Sequence, residues 1–341
     1  MNTTTICYVA GKSGGHIIPC LTLAQKNKAA GSINKILFFS ANTPLDKTIL
    51  ADNTMVSWHI MLPLSNRTQS YIKLLLHTVS SFMISFFYLY KHKPTEIITT
   101  GGIVAIPTCI AGFILRIPIT LYSLDAIPGK AIKALSPLAR SIITPFTTSK
   151  HYFTAQKCSR GSYPIKYDSS TLTITQQEAQ RNLKLSLTKK TILILGGSQG
   201  SLFLNDCIKQ WINDETFNAQ EIQIIHQTGS RDNTNWQELY ISKNITAHVF
   251  DYYPDLALMY TASDLIICRA GAGTLFEIKF FNKPCIVIPL ITTTTSHQVN
   301  NALAMEQEYP QLFYTIMQKD VEQKYTLLFN TINNIISKKI F

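Results

Sequence analysis

The stretch TTICYVAGKSGGH at residues 4–16 returns in outline as KTILILGGSQGS at residues 190–201: an apolar run, a glycine-rich break, then the start of a helix. That shape is the opening unit of a Rossmann-like domain, in which a strand ends at a tight turn and feeds a helix packed back on the sheet. Its recurrence predicts two such domains, and 341 residues give each of them enough chain for an ordinary core. Short β-rich runs alternate with helical stretches through both halves, among them KILFF, EIITT, IPITLYS, IQIIHQ, DLIICR and PCIVIPL, which is the pattern of parallel α/β sheets. A polar, Gly/Pro/Ser-bearing stretch at 147–170 separates the halves. The expected domains are residues 1–155 and 171–341, joined by a linker at 156–170, with the last helix able to pack back on the first domain. A ligand is expected in the cleft between them.

The glycine breaks narrow the choice of ligand. The GKS tripeptide imitates a P-loop, but G-x-x-x-x-G-K-[ST] needs a glycine at position 6, where the chain has Ile6. Gly11, Gly14 and Gly15 do not fit G-x-G-x-x-G, and the run ILFFSAN ends without an acidic ribose ligand. What remains is a helix N-terminus whose backbone N–H groups can face a phosphate or an oxyanion.

A formal net charge of +11 favours an anionic partner: a phosphorylated substrate, an anionic bilayer or nucleic acid. No aromatic RNA-binding signature, helix-turn-helix spacing or basic arm is present, so nucleic acid is not expected. The seven cysteines are scattered and contain no C-x-x-C pair, which points to reduced thiols in the cytoplasm and not to disulfides or zinc. The amino terminus lacks a basic segment followed by an apolar one, so the protein is expected to stay inside the cell. Residues 70–94, SYIKLLLHTVSSFMISFFYLYKHKP, are too interrupted by Lys73, His77 and serines to read as a plain membrane span. Two readings stand: a buried helix, or a helix whose outer face of Ile72, Leu75, Val79 and Phe82 dips into a bilayer while Lys73, Lys91 and Lys93 meet headgroups.

The densest motif is DLIICRAGAGTLFEIKFFNKPCIVIPLITTTTSHQVNNALAMEQ, residues 264–307: strand, R-x-G-x-x-T turn, helix with Glu277, strand, then a helix opened by His297-Gln298 and Asn301-Ala302. Glu277 stands one helical turn beyond the Gly271–Thr274 loop, so its carboxylate can accept from two ribose hydroxyls while the helix terminus faces a diphosphate. Thr274 and the backbone N–H groups of Ala272 and Gly273 suit a phosphate, and Gln298 has donor and acceptor groups for sugar hydroxyls. The same residues fit plainer roles: Glu277 as a solvated charge, Gln298 and Asn301 as helix-start polar groups, His16 as a residue turned to solvent.

Together with G-x-S-G-G-H, G-G-S-Q-G and TGGIVAIPTCIAGFILRIP, this block resembles the MurG family along nearly the whole chain. Members are cytoplasmic, membrane-associated enzymes that move N-acetylglucosamine from UDP-N-acetylglucosamine to undecaprenyl-pyrophosphoryl-muramyl-pentapeptide. The resemblance implies an α/β fold of GT-B type, two Rossmann-like domains facing across a cleft, with the donor mainly on the second. It implies donor contacts at Ser198, Gln199, Gly200, Tyr253, Ala272, Gly273, Thr274, Leu275, Phe276, Glu277, Gln298 and Asn301. Acceptor contacts fall at Ser13, Gly14 and Gly15. His16 or Asp125 is the expected general base, since a histidine titrating near neutrality suits an attacking hydroxyl. An anionic membrane surface is the further expected partner, at the cytoplasmic face of the inner membrane. No cofactor or metal is expected.

Two segments depart from the family. Its H-E-Q-N reads Tyr122, Ser123, Leu124, Asp125 here, and its N-P-x-R reads Tyr163, Pro164, Ile165, Lys166. The first adds a negative charge where an amide donated, and the second replaces a bidentate arginine by a point charge. A diacylglycerol glucosyltransferase, a UDP-N-acetylglucosamine epimerase and a non-catalytic UDP-sugar or lipid binder are the alternatives.

Overall fold

The computed structural model describes residues 4–11, 14–31, 33–51, 53–64, 71–197, 199–291 and 297–337. The chain divides into two compact units, Met1–Lys166 and Tyr167–Phe341.

The first unit runs β1 (Thr5–Ala10), α1 (Gly14–Ala29), β2 (Lys35–Ala41), α2 (Pro44–Ala51), β3 (Trp58–Leu62), α3 (Tyr71–His92), β4 (Glu96–Gly101), α4 (Ala105–Ile114), β5 (Ile119–Tyr122), α5 (Lys130–Leu135), β6 (Ser141–Thr144) and β7 (Cys158–Arg160). Its seven strands lie in the order β3-β2-β1-β4-β5-β6-β7, every pair parallel. Side chains alternate across a strand, so β1 feeds two cores: Cys7 and Val9 join Leu37, Phe39 and Ile97 on one face. Ile6 and Tyr8 join Ile36, Phe38 and Ile98 on the other. This double burial is why the strands read as continuous apolar runs.

The second unit runs α6 (Gln176–Asn182), β8 (Lys190–Leu195), α7 (Leu202–Trp211), β9 (Ile222–Gln227), α8 (Trp236–Ser242), β10 (Ala247–Phe250), α9 (Ala257–Ala262), β11 (Leu265–Cys268), α10 (Ala272–Phe280), β12 (Cys285–Val287), α11 (His297–Glu308), β13 (Phe313–Thr315), α12 (Gln318–Gln323) and α13 (Tyr325–Ser337). Its six strands take the order β10-β9-β8-β11-β12-β13 and are likewise parallel. Trp211 of α7 and Leu328, Phe329 and Ile332 of α13 complete its core against Ile194, Ile224 and Ile267.

Both sheets reverse their winding at a central pair, β1 with β4 and β8 with β11. Such a switch point leaves a crevice at the carboxyl ends of the strands, where α/β proteins bind ligands.

Helix α3 is turned inside out. Its inward residues are Ser81, Ser85 and Leu89, with Ser85 Oγ 2.9 Å from Thr108 Oγ1 of α4. Small side chains at that contact let the two helices approach closely. Tyr71, Ile72, Leu75, Leu76, Val79, Met83, Phe87 and Tyr90 are all more than half exposed. Of the serines that interrupt the apolar run, Ser81 and Ser85 therefore mark its packing side, while Ser80 is exposed. Phe82, expected on the outer face, is a correction: it is partly buried against the first core, because it lies next to Ser81 on the inward side of the helix. Met83 and Phe87 continue the exposed stripe in its place.

Candidate functional site

In the first unit the loop after β1 meets the loop after β4. Gly102 has φ +92, and a Cβ there would lie 2.8 Å from the Gly11 carbonyl oxygen, so only glycine lets the two backbones come this close. Thr100 Oγ1 donates to the His16 carbonyl at 2.9 Å, and a Cβ on Gly101 would stand 3.9 Å from His16 Cε1. His16, Gly14 and Gly15 are thus held at the switch point, with His16 half-buried and Gly15 exposed. Asp125 follows β5, the neighbour of β4, and is half-buried; its carbonyl accepts from Ser149 Oγ at 2.8 Å. Of the two departing segments, Ser123, Leu124, Tyr163 and Pro164 are buried, whereas Lys166 is exposed. Ser13 and Ser198 lie outside the described residues.

In the second unit, Gly200 has φ +73, and a Cβ there would meet Thr228 O at 2.6 Å, so the loop after β8 lies directly on the one after β9. Gln199 Oε1 accepts from Arg231 at 2.8 Å. A buried network supports this pair of loops. Asn205 Nδ2 donates to Thr228 O and to Asp232 Oδ2, at 2.9 and 2.7 Å. The Asn205 oxygen can then only accept, so His226 Nε2 carries the proton at 3.1 Å and His226 Nδ1 accepts from the Tyr240 hydroxyl at 2.9 Å. Burial pushes the His226 imidazole down to about 3, which keeps it neutral in this tautomer.

The loop after β11 is built around Arg269, only 8% exposed. Its Nε donates to Ser201 Oγ at 3.1 Å, its Nη1 to Ile288 O at 3.0 Å, and its guanidinium lies 5.0 Å from the Phe203 ring. Among the described residues it forms no ion pair, so hydrogen-bond dipoles and the more distant Glu322 charge offset its own. The same loop is fastened from α11. Two backbone N–H groups, of Ala270 at 3.2 Å and Leu290 at 2.9 Å, converge on Gln298 Oε1, which identifies that atom as oxygen and leaves the amide N–H2 end for donation. Asn301 is buried and donates to Ala270 O at 3.4 Å.

Helix α10 begins at this loop, with Ala272 buried and Gly273 and Thr274 half-buried in its first turn. Leu275 and Phe276 point into the protein and are buried. Both were expected to touch the donor, and at these two positions the backbone is the part nearest the start of the helix that faces it. Glu277 is half-buried one turn further on, where its Oε2 accepts from the Tyr260 hydroxyl at 2.9 Å. Tyr253, half exposed, follows β10. The loops after β8, β10 and β11 and the start of α11 thus offer helix N-termini and the buried Arg269 cation, with the Glu277 carboxylate one turn along α10, a set suited to a nucleoside diphosphate. Among the described residues no three His, Cys, Asp or Glu side chains group as a metal site.

Sequence reasoning assigned no role to Arg269, Tyr260 or the Asn205–His226–Asp232 network. Arg269 was within reach, since it opens the R-x-G-x-x-T turn. Nothing separates Tyr260 or His226 from ordinary core residues until their partners are seen.

Residues 6–144 match the glycosyltransferase family 28 N-terminal domain and residues 191–340 its C-terminal domain. The crystal structure of Acinetobacter baumannii MurG matches with a TM-score of 0.75 at 23% identity, over 96% of this chain and 90% of that one. A UDP-GlcNAc 2-epimerase from Neisseria meningitidis shares the fold at a TM-score of 0.61 and 14% identity, over 90% and 92%. The protein is a glycosyltransferase with two Rossmann-like domains of the GT-B class. Curated relatives narrow this further: proteins from Halothermothrix orenii (31% identical over 97% of this chain and 90% of that one) and Thermosipho africanus (30% over 93% and 87%) are both named UDP-N-acetylglucosamine–N-acetylmuramyl-(pentapeptide) pyrophosphoryl-undecaprenol N-acetylglucosamine transferase. The chain belongs to the MurG family.

Proposed function

We propose that the protein transfers N-acetylglucosamine from UDP-N-acetylglucosamine to an undecaprenyl-pyrophosphoryl-muramyl-pentapeptide, with inversion at the anomeric carbon, in peptidoglycan synthesis. The observation that carries this reading is the second unit's switch point, where buried Arg269 fastens the loop after β11 and Glu277 stands one turn past the N-terminus of the α10 helix that this loop opens. Glu277 accepts from the ribose hydroxyls. The α10 terminus at Thr274 meets the diphosphate, and Arg269 supplies the field of a buried cation behind it. Gln298, its oxygen committed to the loops, donates through its amide to the sugar. The first unit holds the acceptor's pyrophosphate at the start of α1. His16 or Asp125 takes the proton from the attacking hydroxyl as the bond from the anomeric carbon to UDP breaks. Charge developing on UDP is met by the α10 terminus.

The test is a turnover assay with radiolabelled UDP-N-acetylglucosamine and a short-chain analogue of the muramyl lipid. UDP release that depends on this acceptor is expected. Release with diacylglycerol, epimerised donor, or donor binding without turnover would each replace the reading with one of its alternatives.

The acceptor's lipid requires a membrane, and α3 supports a peripheral attachment. By length and composition, α3 is long and apolar enough to cross a bilayer, with a mean hydropathy of 1.5. One of its sides is nevertheless committed to α4 through Ser81 and Ser85, so it lies in the interface plane with its stripe inward to lipid and Lys73, Lys91 and Lys93 at headgroups. Exposed Ile110, Phe113 and Ile114 of α4 extend the apolar surface. Changing Leu75 and Met83 together to serine should release the protein from anionic vesicles. The unfolding free energy should stay within about 1 kcal/mol, as expected for exposed sites. Vesicle binding that persists, or a loss of several kcal/mol, would return α3 to a structural role.

A further inference from the structure

The carboxylate that accepts from the ribose has three side-chain torsions and stands at the edge of a helix, yet something in the fold holds it still. Tyr260 of α9 is fully buried, and its hydroxyl donates to Glu277 Oε2 at 2.9 Å. The direction is not in doubt, because an ionised carboxylate only accepts. The ring that carries this hydroxyl has no freedom. It stacks on Phe281 at 5.0 Å and 28°, and meets Tyr167 edge-on at 6.2 Å and 86°. Tyr167 in turn stacks on Phe280 at 6.2 Å and accepts from the Leu256 N–H, at the start of α9, at 3.1 Å. Phe280 and Phe281 sit at the end of the helix that bears Glu277, and the Phe281 N–H donates to the Glu277 carbonyl at 3.0 Å. Backbone and side chain of Glu277 are therefore tied to one aromatic platform.

We infer that Tyr260 is the positioning residue for Glu277, holding its carboxylate in the orientation that accepts from the nucleotide's ribose hydroxyls. This rests on the donor-site reading given above. Ordering a glutamate side chain opposes binding when it happens on ligand arrival and does not when it is already done. A carboxylate has about four acceptor directions, and Tyr260 takes one on the buried side. Burial and then the Glu277 charge push the Tyr260 hydroxyl well above the ordinary tyrosine value, so it remains a donor at any working pH. Tyr260 touches no substrate. Its effect passes through Glu277 and should be specific to the ribose.

The experiment compares the affinities of UDP and 2′-deoxy-UDP for the full-length protein, Tyr260→Phe, Glu277→Ala and the double variant. The unmodified protein should prefer UDP by about tenfold, the scale of one hydrogen bond to a charged group. Tyr260→Phe should shrink that preference to about threefold or less, weakening 2′-deoxy-UDP less than UDP because only its 3′-hydroxyl still reaches Glu277, and it should add nothing in the Glu277→Ala background. Equal weakening of both nucleotides, or an undiminished preference, would overturn the inference. If Glu277→Ala itself keeps the preference, the ribose reading fails and takes this inference with it. If Glu277→Ala abolishes it and Tyr260→Phe does not, only the role of Tyr260 fails. Should Tyr260→Phe fold poorly, a crystal structure of the unmodified protein with UDP decides: Glu277 on the ribose while still bonded to Tyr260 supports the inference, and Glu277 swung away from Tyr260 overturns it.

Discussion

Alanine in place of His16 is expected to lower turnover at saturating acceptor by about 100- to 10,000-fold, the usual reach of a general base, and to change UDP affinity little. The imidazole stands in the first turn of α1, with its backbone carbonyl held by Thr100 and the Gly101–Gly102 turn alongside. That places it at the first unit's switch point, whereas the nucleotide groups assigned above belong to the second unit. A loss confined to kcat would support proton removal by His16. A rise in acceptor KM alone would make His16 a binding contact, and wild-type turnover would pass the base role to Asp125.

Glu277→Ala should weaken UDP and UDP-N-acetylglucosamine by about 1.5–3 kcal/mol for each ribose hydrogen bond lost, which is at least tenfold in Kd. The variant also leaves the Tyr260 hydroxyl, buried and aimed at Glu277 Oε2, without its acceptor, a cost to folding of about 1–3 kcal/mol. Calorimetric titration of UDP must therefore be paired with a melting curve. Unchanged affinity in a folded variant would remove Glu277 from the nucleotide site and with it the assignments on α10 and α11.

Much of the architecture could be read from residues alone, because a strand buried on both faces has no polar alternation to hide it. TTICYVA and KTILIL announced β1 and β8, and the glycines after them announced the loops. The direction of α3 was harder: its apolar residues are too many for one face, and hydrophobicity does not say whether serines or leucines turn inward. Phe82 was assigned to the wrong side for that reason. At the site, chain order put Glu277 beyond its loop, but the use made of each polar atom depended on convergence in space. That two N–H groups, twenty positions apart in the chain, share Gln298 Oε1 has no trace in spacing. Nor does the meeting of Tyr260 with Glu277, which lie on helices separated by the whole of β11.

The first unit is one continuous stretch, Met1–Lys166, and among the described residues its two apolar cores draw on that stretch. During synthesis it can close while the chain from Tyr167 to Phe341 is still being made, and at about 5–20 residues per second that interval lasts about ten to thirty-five seconds. For all of it the ribosome would display a finished domain bearing the greasy stripe of α3 and nothing yet to use it with. A nascent chain so equipped has two fates, capture by a nearby bilayer or collision with another copy. If the stripe is the bilayer contact proposed above, Lys73, Lys91 and Lys93 would favour the first over the second, since lysines attract anionic lipid and repel their own kind. The stripe would then serve as a sorting device that acts before the sugar-binding half of the enzyme exists.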